Sequence, residues 1–171
     1  AIKGDVHDGH SFVGSALANG ASAALVSACN LADLGDAAPL IVVPDALQGL
    51  IAIGRAARAR THGKIIAVTG SAGKTGTKDA LGVLLSAQAE THFSVASFNN
   101  HWGVPLTLAR FSRSARFGIF EIGMNHAGEI TPLVDMVRPH VAIVTTIAPV
   151  HLADFSSTAD IADAKAEIFS G

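Results

Sequence analysis

The stretch "AVTGSAGKTGTKD", residues 67–79, carries the densest chemical signal in the chain. A glycine turn between a strand and a helix lets backbone N–H groups approach phosphate oxygens, and the helix N-terminus adds positive potential. Gly70, Ser71, Ala72, Gly73 and Gly76 would form the cradle, Lys74 would reach the terminal phosphates, and the Thr75 hydroxyl would coordinate Mg²⁺. The usual phosphate-loop pattern also has a glycine five residues before the Gly of GKT. Val68 stands there, leaving the shorter G-x-x-G-K-T from Gly70 to Thr75. A plain strand-to-helix turn could hold GKT by chance, but the flanking strand and helix favour phosphate binding.

Two further residues fall where a parallel sheet would present them beside that loop. Ligands of open α/β sheets bind outside the carboxyl ends of the strands. Glu121 lies near the end of the apolar run "FGIFEIG", and His151 follows a third apolar run in "TTIAPVHLADF". Singly, Glu121 could pair with a lysine and His151 could be a satisfied core or loop histidine. Together with Thr75 they would bring a carboxylate, an imidazole and a hydroxyl to one rim, a set suited to a divalent metal with oxygen ligands. Asn99 and Asn100 in "SFNNHWGVPLTL", followed by Gly103 and Pro105, read as a loop with exposed amides able to bond a ligand, although turn formation alone also explains them. Asn125 and His126 of "GMNHAGE" belong to the rim of Glu121, and Trp102 reads as a packing residue.

The segment "TADIADAKAEIFSG", residues 158–171, reads as a helix with Thr158 as its N-cap and Ile161, Lys165, Ile168 and Phe169 on one face. A lysine within an apolar stripe has two readings. It can pack its stem and send the ammonium to water, or burial can lower its pKa and leave a neutral amine able to attack CO₂.

The elements that must position these residues are those of a sheet enclosed by helices. "KIIAVTG", "FGIFEIG" and "VAIVTTI" are continuous apolar runs separated by helical patterns, which indicates an α/β fold with a parallel sheet covered on both faces. The helix from about Thr75 to Ala87 would share Leu81, Leu84 and Leu85 on one face, and "GEITPLVDMV" reads as another helix. Upstream, "SFVGSALANG" reads as a helix closed by Gly20, "AALVS" and "PLIVVP" as strands, and "DALQGLIAIGRAARAR" as a helix started by Asp45. The polar "THGK" at 61–64 is the expected junction between a small α/β domain, 1–62, and a phosphate-loop domain, 63–171.

Composition excludes several classes. Of the 171 residues, 49% are hydrophobic and 15% charged, enough for an extensive core and unlike a disordered chain. The net charge of -2 and pI near 6.5 leave no basic footprint for a nucleic acid. No apolar run approaches the roughly 20 residues of a membrane span. The lone cysteine, Cys29, fits a reducing cytoplasm and reads as a small buried hydrophobe. The chain lacks an initiator Met and stops one residue after a helix, so both ends are expected to be cut from a longer protein.

The motifs "TGSAGKTGTK", "NNHWGVPLTL", "EIGMNHAGEI", "APVHLADF" and "AKAEIFSG" occur in the order and spacing of the Mur ligases, which this chain resembles over essentially all its residues. "NNHWGVPLTL" and "GMNHAGEI" resemble the branch that adds D-alanyl-D-alanine to UDP-N-acetylmuramoyl-tripeptide. The opening "AIKGDVHDGHSFVGSALANGA" resembles the uridine-nucleotide-binding domain shared by that branch and the neighbouring one that adds the third amino acid. The resemblance implies a cytoplasmic, monomeric ligase using ATP and Mg²⁺. Gly70 to Gly76, with Asn99, Asn100, Asn125 and His126, would bind nucleotide. Lys74, Glu121, His151 and Lys165 would serve catalysis, and Thr75, Glu121, His151 and Lys165 would hold metal. It also implies that Lys165 is carbamylated. Both domains would be incomplete and the family's C-terminal domain absent, so no ligase activity is expected of the chain alone. The competing readings are a regulatory phosphate-loop module without catalysis and another phosphate-loop enzyme, such as a kinase or a folate polyglutamate synthase.

Overall fold

In a computed structural model, residues 1–4, 6–34, 39–94, 97–150 and 154–171 are described. The chain divides into two units, Ala1–Ala52 and Ile53–Gly171.

In the first unit, Asp8 caps the 3-10 turn Gly9–Phe12 by accepting the His10 N–H at 2.9 Å, and the turn continues into α1 (Val13–Ala18). Gly20 follows at φ 95°, the left-handed conformation that lets glycine close a helix. The short apolar runs form β1 (Ala24–Ser27) and β2 (Leu40–Val43), paired in parallel with Ala24 opposite Leu40. Asp45 starts α2 (Ala46–Ala59) by accepting the Gln48 N–H at 2.9 Å. The division after Ala52 falls within this helix. Cys29 is exposed rather than buried, because it lies on the 3-10 segment Ala28–Leu34 that leaves β1, with its thiol on Asn30 Oδ1.

The second unit is built on β3 (Lys64–Thr69), β4 (Thr91–Phe93), β5 (Phe117–Glu121) and β6 (Val141–Val144), in the spatial order β4-β5-β3-β6 and parallel throughout. Helices α3 (Lys74–Ser86), α4 (Gly103–Ala109) and α5 (Ile130–Val137) make the crossovers, and α6 (Thr158–Ala166) follows β6. Ile65, Ala67 and Val68 of β3 and Ile119 of β5 are fully buried, as a strand covered on both faces requires. No helix among the described residues is long and apolar enough to cross a membrane.

Three local readings change. "NNHWGVPLTL" is not all loop: α4 starts at Gly103, and Pro105 sits in its first turn, where its missing N–H has no partner to lose. On α3, Leu84 is 63% exposed while Lys78 and Gly82 are buried, because the helix approaches β4 so closely that a Cβ on Gly82 would lie 3.0 Å from the Phe93 ring. The cap of α6 is Ser157, whose hydroxyl accepts the Asp160 N–H at 3.2 Å. Thr158 is the first helical residue, and Phe169 turns out to solvent on the 3-10 turn Glu167–Phe169.

Candidate active site

Strand register sets the rim. Val68 of β3 stands opposite Glu121 of β5 and Ile143 of β6, so all three strands end at one level and their following loops start together. β3 lies between β5 and β6. The chain leaves it toward one side and returns on the other, the arrangement that opens a ligand crevice at a strand's carboxyl end.

Gly70 to Thr75 fill this crevice as a loop running into α3. Gly70 (φ 147°) and Gly73 (φ 82°) take conformations that side chains resist, and a Cβ on Gly70 would lie 2.0 Å from Thr145 Oγ1. Lys74 Nζ donates to Gly70 O at 2.7 Å, folding the amine over the loop. The first N–H groups of α3 have no intrahelical acceptor and are free to meet an anion.

Glu121 is 1% exposed and accepts two hydrogen bonds, from Thr75 Oγ1 at 2.9 Å and from Asn99 Nδ2 at 2.7 Å. Its partners are thus a hydroxyl and an amide rather than a lysine. Asn99 is held in place because Gly123 N donates to its carbonyl at 2.8 Å, and a Cβ on Gly123 would strike the Asn99 side chain at 2.9 Å. Asn100 points elsewhere, its Oδ1 accepting the Gly103 N–H at 2.9 Å at the start of α4. Both asparagines are half-buried and engaged rather than exposed. Trp102 packs on Phe98, ring centroids 5.5 Å apart.

Lys165 is 2% exposed, so it does not send its ammonium to water. Burial, and next the positive charge of Lys74, push its pKa down to about 8. No hydrogen bond or ion pair engages its amine among the described residues. Two residues on, the Glu167 carboxylate accepts Gly128 N at 2.6 Å, Thr131 N at 2.9 Å and Thr131 Oγ1 at 3.0 Å, tying the end of α6 to the start of α5.

Asn125 and His126 join a separate cluster. Asn125 N donates to Glu129 Oε2 at 2.7 Å, and His126 bridges Glu129 Oε1 at 2.9 Å and Asp154 Oδ1 at 3.4 Å. The Glu129 bond, then the Asp154 charge, raise the His126 pKa. His151 lies outside the described residues. Among them, no group of three or more His, Cys, Asp or Glu side chains is arranged to hold a metal.

The structure therefore brings Lys74, Thr75, Asn99 and Glu121 together and buries Lys165 near Lys74. Sequence reasoning passed over Ser97, whose hydroxyl is 3.4 Å from Thr75 Oγ1, and Glu167. Ser97 lies inside "SFNN" and Glu167 inside "AKAEIF", so the signal the sequence offers is their proximity to Asn99 and Lys165.

Comparison with known proteins gives a consistent family. Residues 68–171 match the Mur ligase middle domain. Over 169 residues, 99% of this chain, the sequence is 38% identical to the UDP-N-acetylmuramoyl-tripeptide--D-alanyl-D-alanine ligase of Rickettsia prowazekii, and it covers 37% of that protein. A crystal structure of MurF from Acinetobacter baumannii superposes with a TM-score of 0.84 at 35% identity, over 99% of this chain and 37% of the other. MurF ligase from Thermotoga maritima, solved in complex with ADP, gives 0.80 at 28% identity, over 98% and 38%. The chain thus spans a little over a third of the length of the proteins it matches.

Proposed function

This chain belongs to the Mur ligase family, and we propose that it carries the ATP-handling machinery of a ligase that joins D-alanyl-D-alanine to UDP-N-acetylmuramoyl-tripeptide in the cytoplasm. In this reading residues 63–171 hold ATP and residues 1–62 contribute to holding the UDP-linked substrate. A carboxylate of that substrate attacks the γ-phosphorus, ADP leaves, and an acyl phosphate forms. The amine of D-alanyl-D-alanine then adds to the acyl carbon, and the tetrahedral intermediate collapses with loss of phosphate. The first step drives an anion against a triphosphate, so charge compensation and in-line positioning dominate.

The chain's residues divide that work. The N–H groups at the start of α3 and the Lys74 ammonium bind the β- and γ-phosphates, with Lys74 exchanging its bond to Gly70 O for phosphate oxygen. Thr75 Oγ1 and Glu121 Oε2, 2.9 Å apart, are hard oxygen donors that fit Mg²⁺, and Asn99 orients the carboxylate through its second oxygen. Mg²⁺, when bound there, neutralises charge on the phosphates. His151 is proposed to serve the acyl phosphate, and Asn125 and His126 to contribute to nucleotide binding.

Lys165 suits carbamylation. Its pKa near 8 leaves a substantial neutral fraction near neutral pH. The nitrogen lone pair adds to CO₂ and a proton leaves, giving a carbamate whose negative charge offsets Lys74. The product is a long oxygen donor on the rim that Glu121 occupies.

The observation that carries the proposal is buried Glu121, fixed by Thr75 from the phosphate loop through one carboxylate oxygen and by Asn99 through the other. A loop that only held nucleotide would not need a carboxylate buried at that point. Calorimetric titration of ADP and Mg²⁺ into the chain tests it. Binding is expected to disappear in Lys74→Ala, and in Glu121→Gln to persist but lose its dependence on Mg²⁺. A Glu121→Gln variant with unchanged Mg²⁺ dependence overturns the assignment and leaves the regulatory-module reading in its place.

A further inference from the structure

A loop that grips phosphate through backbone N–H groups must turn its carbonyls elsewhere and satisfy them there. A trans peptide holds its C=O and N–H antiparallel, so anchoring one aims the other. Four carbonyls at this loop have separate partners. Gly70 O accepts Lys74 Nζ at 2.7 Å, and Gly73 O accepts the helical Thr77 N–H at 3.0 Å. Thr69 O accepts the Thr145 N–H at 2.9 Å, and Ala72 O accepts Thr145 Oγ1 at 2.6 Å.

Thr145 Oγ1 also lies 3.2 Å from Thr69 O, but a hydroxyl has one proton to give. Thr69 O already has a backbone donor, so that proton belongs to Ala72 O at the shorter distance. We propose that Thr145, at the end of β6, is a positioning residue for the nucleotide. Its hydroxyl holds the Ala72 carbonyl outward and thereby aims the Gly73 N–H into the phosphate site. The inference rests on the phosphate-binding reading of this loop.

The surroundings make the role specific. Gly73, at φ 82°, is a glycine whose own freedom would let the preceding peptide rotate if nothing held it. The Gly70–Ser71 peptide is committed separately: its carbonyl accepts Lys74 Nζ, and its N–H donates to Thr146 O at 2.7 Å, directing that N–H away from a phosphate. Ser71 Oγ donates to Ala148 O at 3.1 Å and accepts from Ala148 N at 3.0 Å, so the segment after β6 holds the loop at a second point. The missing Cβ of Gly70, which would lie 2.0 Å from Thr145 Oγ1, is what allows that hydroxyl so close. The Ala72–Gly73 peptide is the one whose carbonyl the Thr145 hydroxyl holds among the described residues.

The test compares the chain with Thr145→Val, which keeps the shape without the hydroxyl, and Thr145→Ser, which keeps the hydroxyl. ADP with Mg²⁺ is titrated calorimetrically into each, and unfolding without nucleotide is followed in parallel. One charge-assisted N–H bond misdirected predicts about tenfold weaker ADP binding in Thr145→Val, with Thr145→Ser within about threefold of the parent. In ¹⁵N-labelled parent chain, the Gly73 amide signal should move strongly on adding ADP while that of Ser71 stays nearly fixed. Parent-like binding by Thr145→Val, equal weakening in Thr145→Ser and Thr145→Val, or a Gly73 amide indifferent to bound ADP each overturns the proposal. Should Thr145→Val fail to fold, the amide signals of the parent decide alone. A parent chain that binds no ADP refutes the phosphate-loop reading beneath it, a result separable from all the others.

Discussion

Replacing Lys165 by methionine isolates the electrostatic state of the site. The side chain is 2% exposed, and burial, reinforced by the Lys74 charge, lowers its pKa from 10.5 to about 8. The unfolded chain keeps the ordinary value. Between those two limits the unfolded state holds more protons, and stability rises with pH. Below the folded value both states carry the ammonium and the folded chain bears the whole penalty. Converted at 1.36 kcal/mol per pKa unit, that penalty is about 3 kcal/mol. The effective dielectric of a protein site, well above that of a dry interior, reduces it to about half, roughly 1.5 kcal/mol. Methionine has similar length and no charge, so Lys165→Met should be more stable by about 1.5 kcal/mol near neutral pH, a gap that falls to about half by about pH 10. Urea unfolding in CO₂-free buffer reads this as a midpoint shift of somewhat under about 1 M. Bicarbonate should narrow the gap by stabilising only the lysine chain, since a carbamate offsets Lys74. A gap that ignores pH, or a methionine variant less stable throughout, refutes the reasoning.

Two struts of the second unit make simpler predictions. Buried Arg58 donates Nε to Val137 O at 2.6 Å and a guanidinium N–H to Arg138 O at 2.8 Å, satisfying carbonyls at the end of α5. Arg58→Ala should cost about 2–3 kcal/mol by chemical denaturation, and a loss below about 0.5 kcal/mol would show that water replaces the arginine. At the other end of α5, burial raises the Glu167 pKa but the N–H groups of Gly128 and Thr131 and the Thr131 hydroxyl outweigh it, holding the carboxylate below its usual range. Its stabilisation is therefore present at neutral pH and lost as pH falls through the folded value. Glu167→Ala should cost about 1–2 kcal/mol near pH 7 and close to nothing near pH 3, and thermal unfolding showing equal gaps at both would exclude the capping role.

The fold was legible where one physical rule dominated. Short continuous apolar runs bounded by turn residues favour strands of a covered parallel sheet, and β3, β5 and β6 formed where "KIIAVTG", "FGIFEIG" and "VAIVTTI" stand. β4 escaped because Thr91–Phe93 is too short to carry a period. α4 escaped because glycine and proline, which usually mark a turn, here occupy a helix's first turn, where neither does harm. The leucines of α3 misled because helix faces are chosen by fit: Gly82 against Phe93 brings the helix in, and Leu84 is left outside.

The site divides by the same logic, with sequence distance deciding what could be read. The phosphate loop is local, so glycines, lysine and threonine appear side by side and their chemistry follows from spacing. Its supports are not local: Thr145 reaches Ala72 across 73 positions, and Arg58 reaches Val137 across 79. No periodicity announces such a bond, since any hydroxyl or guanidinium of the chain is an equal candidate until the sheet closes. Register is what selects them. Ile143 opposite Val68 sets Thr145 beside the loop that follows β3, and Glu121 opposite Val68 sets its carboxylate under Thr75. A one-residue slip of β6 would turn Thr145 to the other face and leave the Ala72 carbonyl unpartnered. The strand pairing that sets Ile143 and Glu121 opposite Val68 thus also specifies which N–H groups face a phosphate, and a repacking substitution in β6 that shifts register should weaken nucleotide binding without touching any residue of the loop.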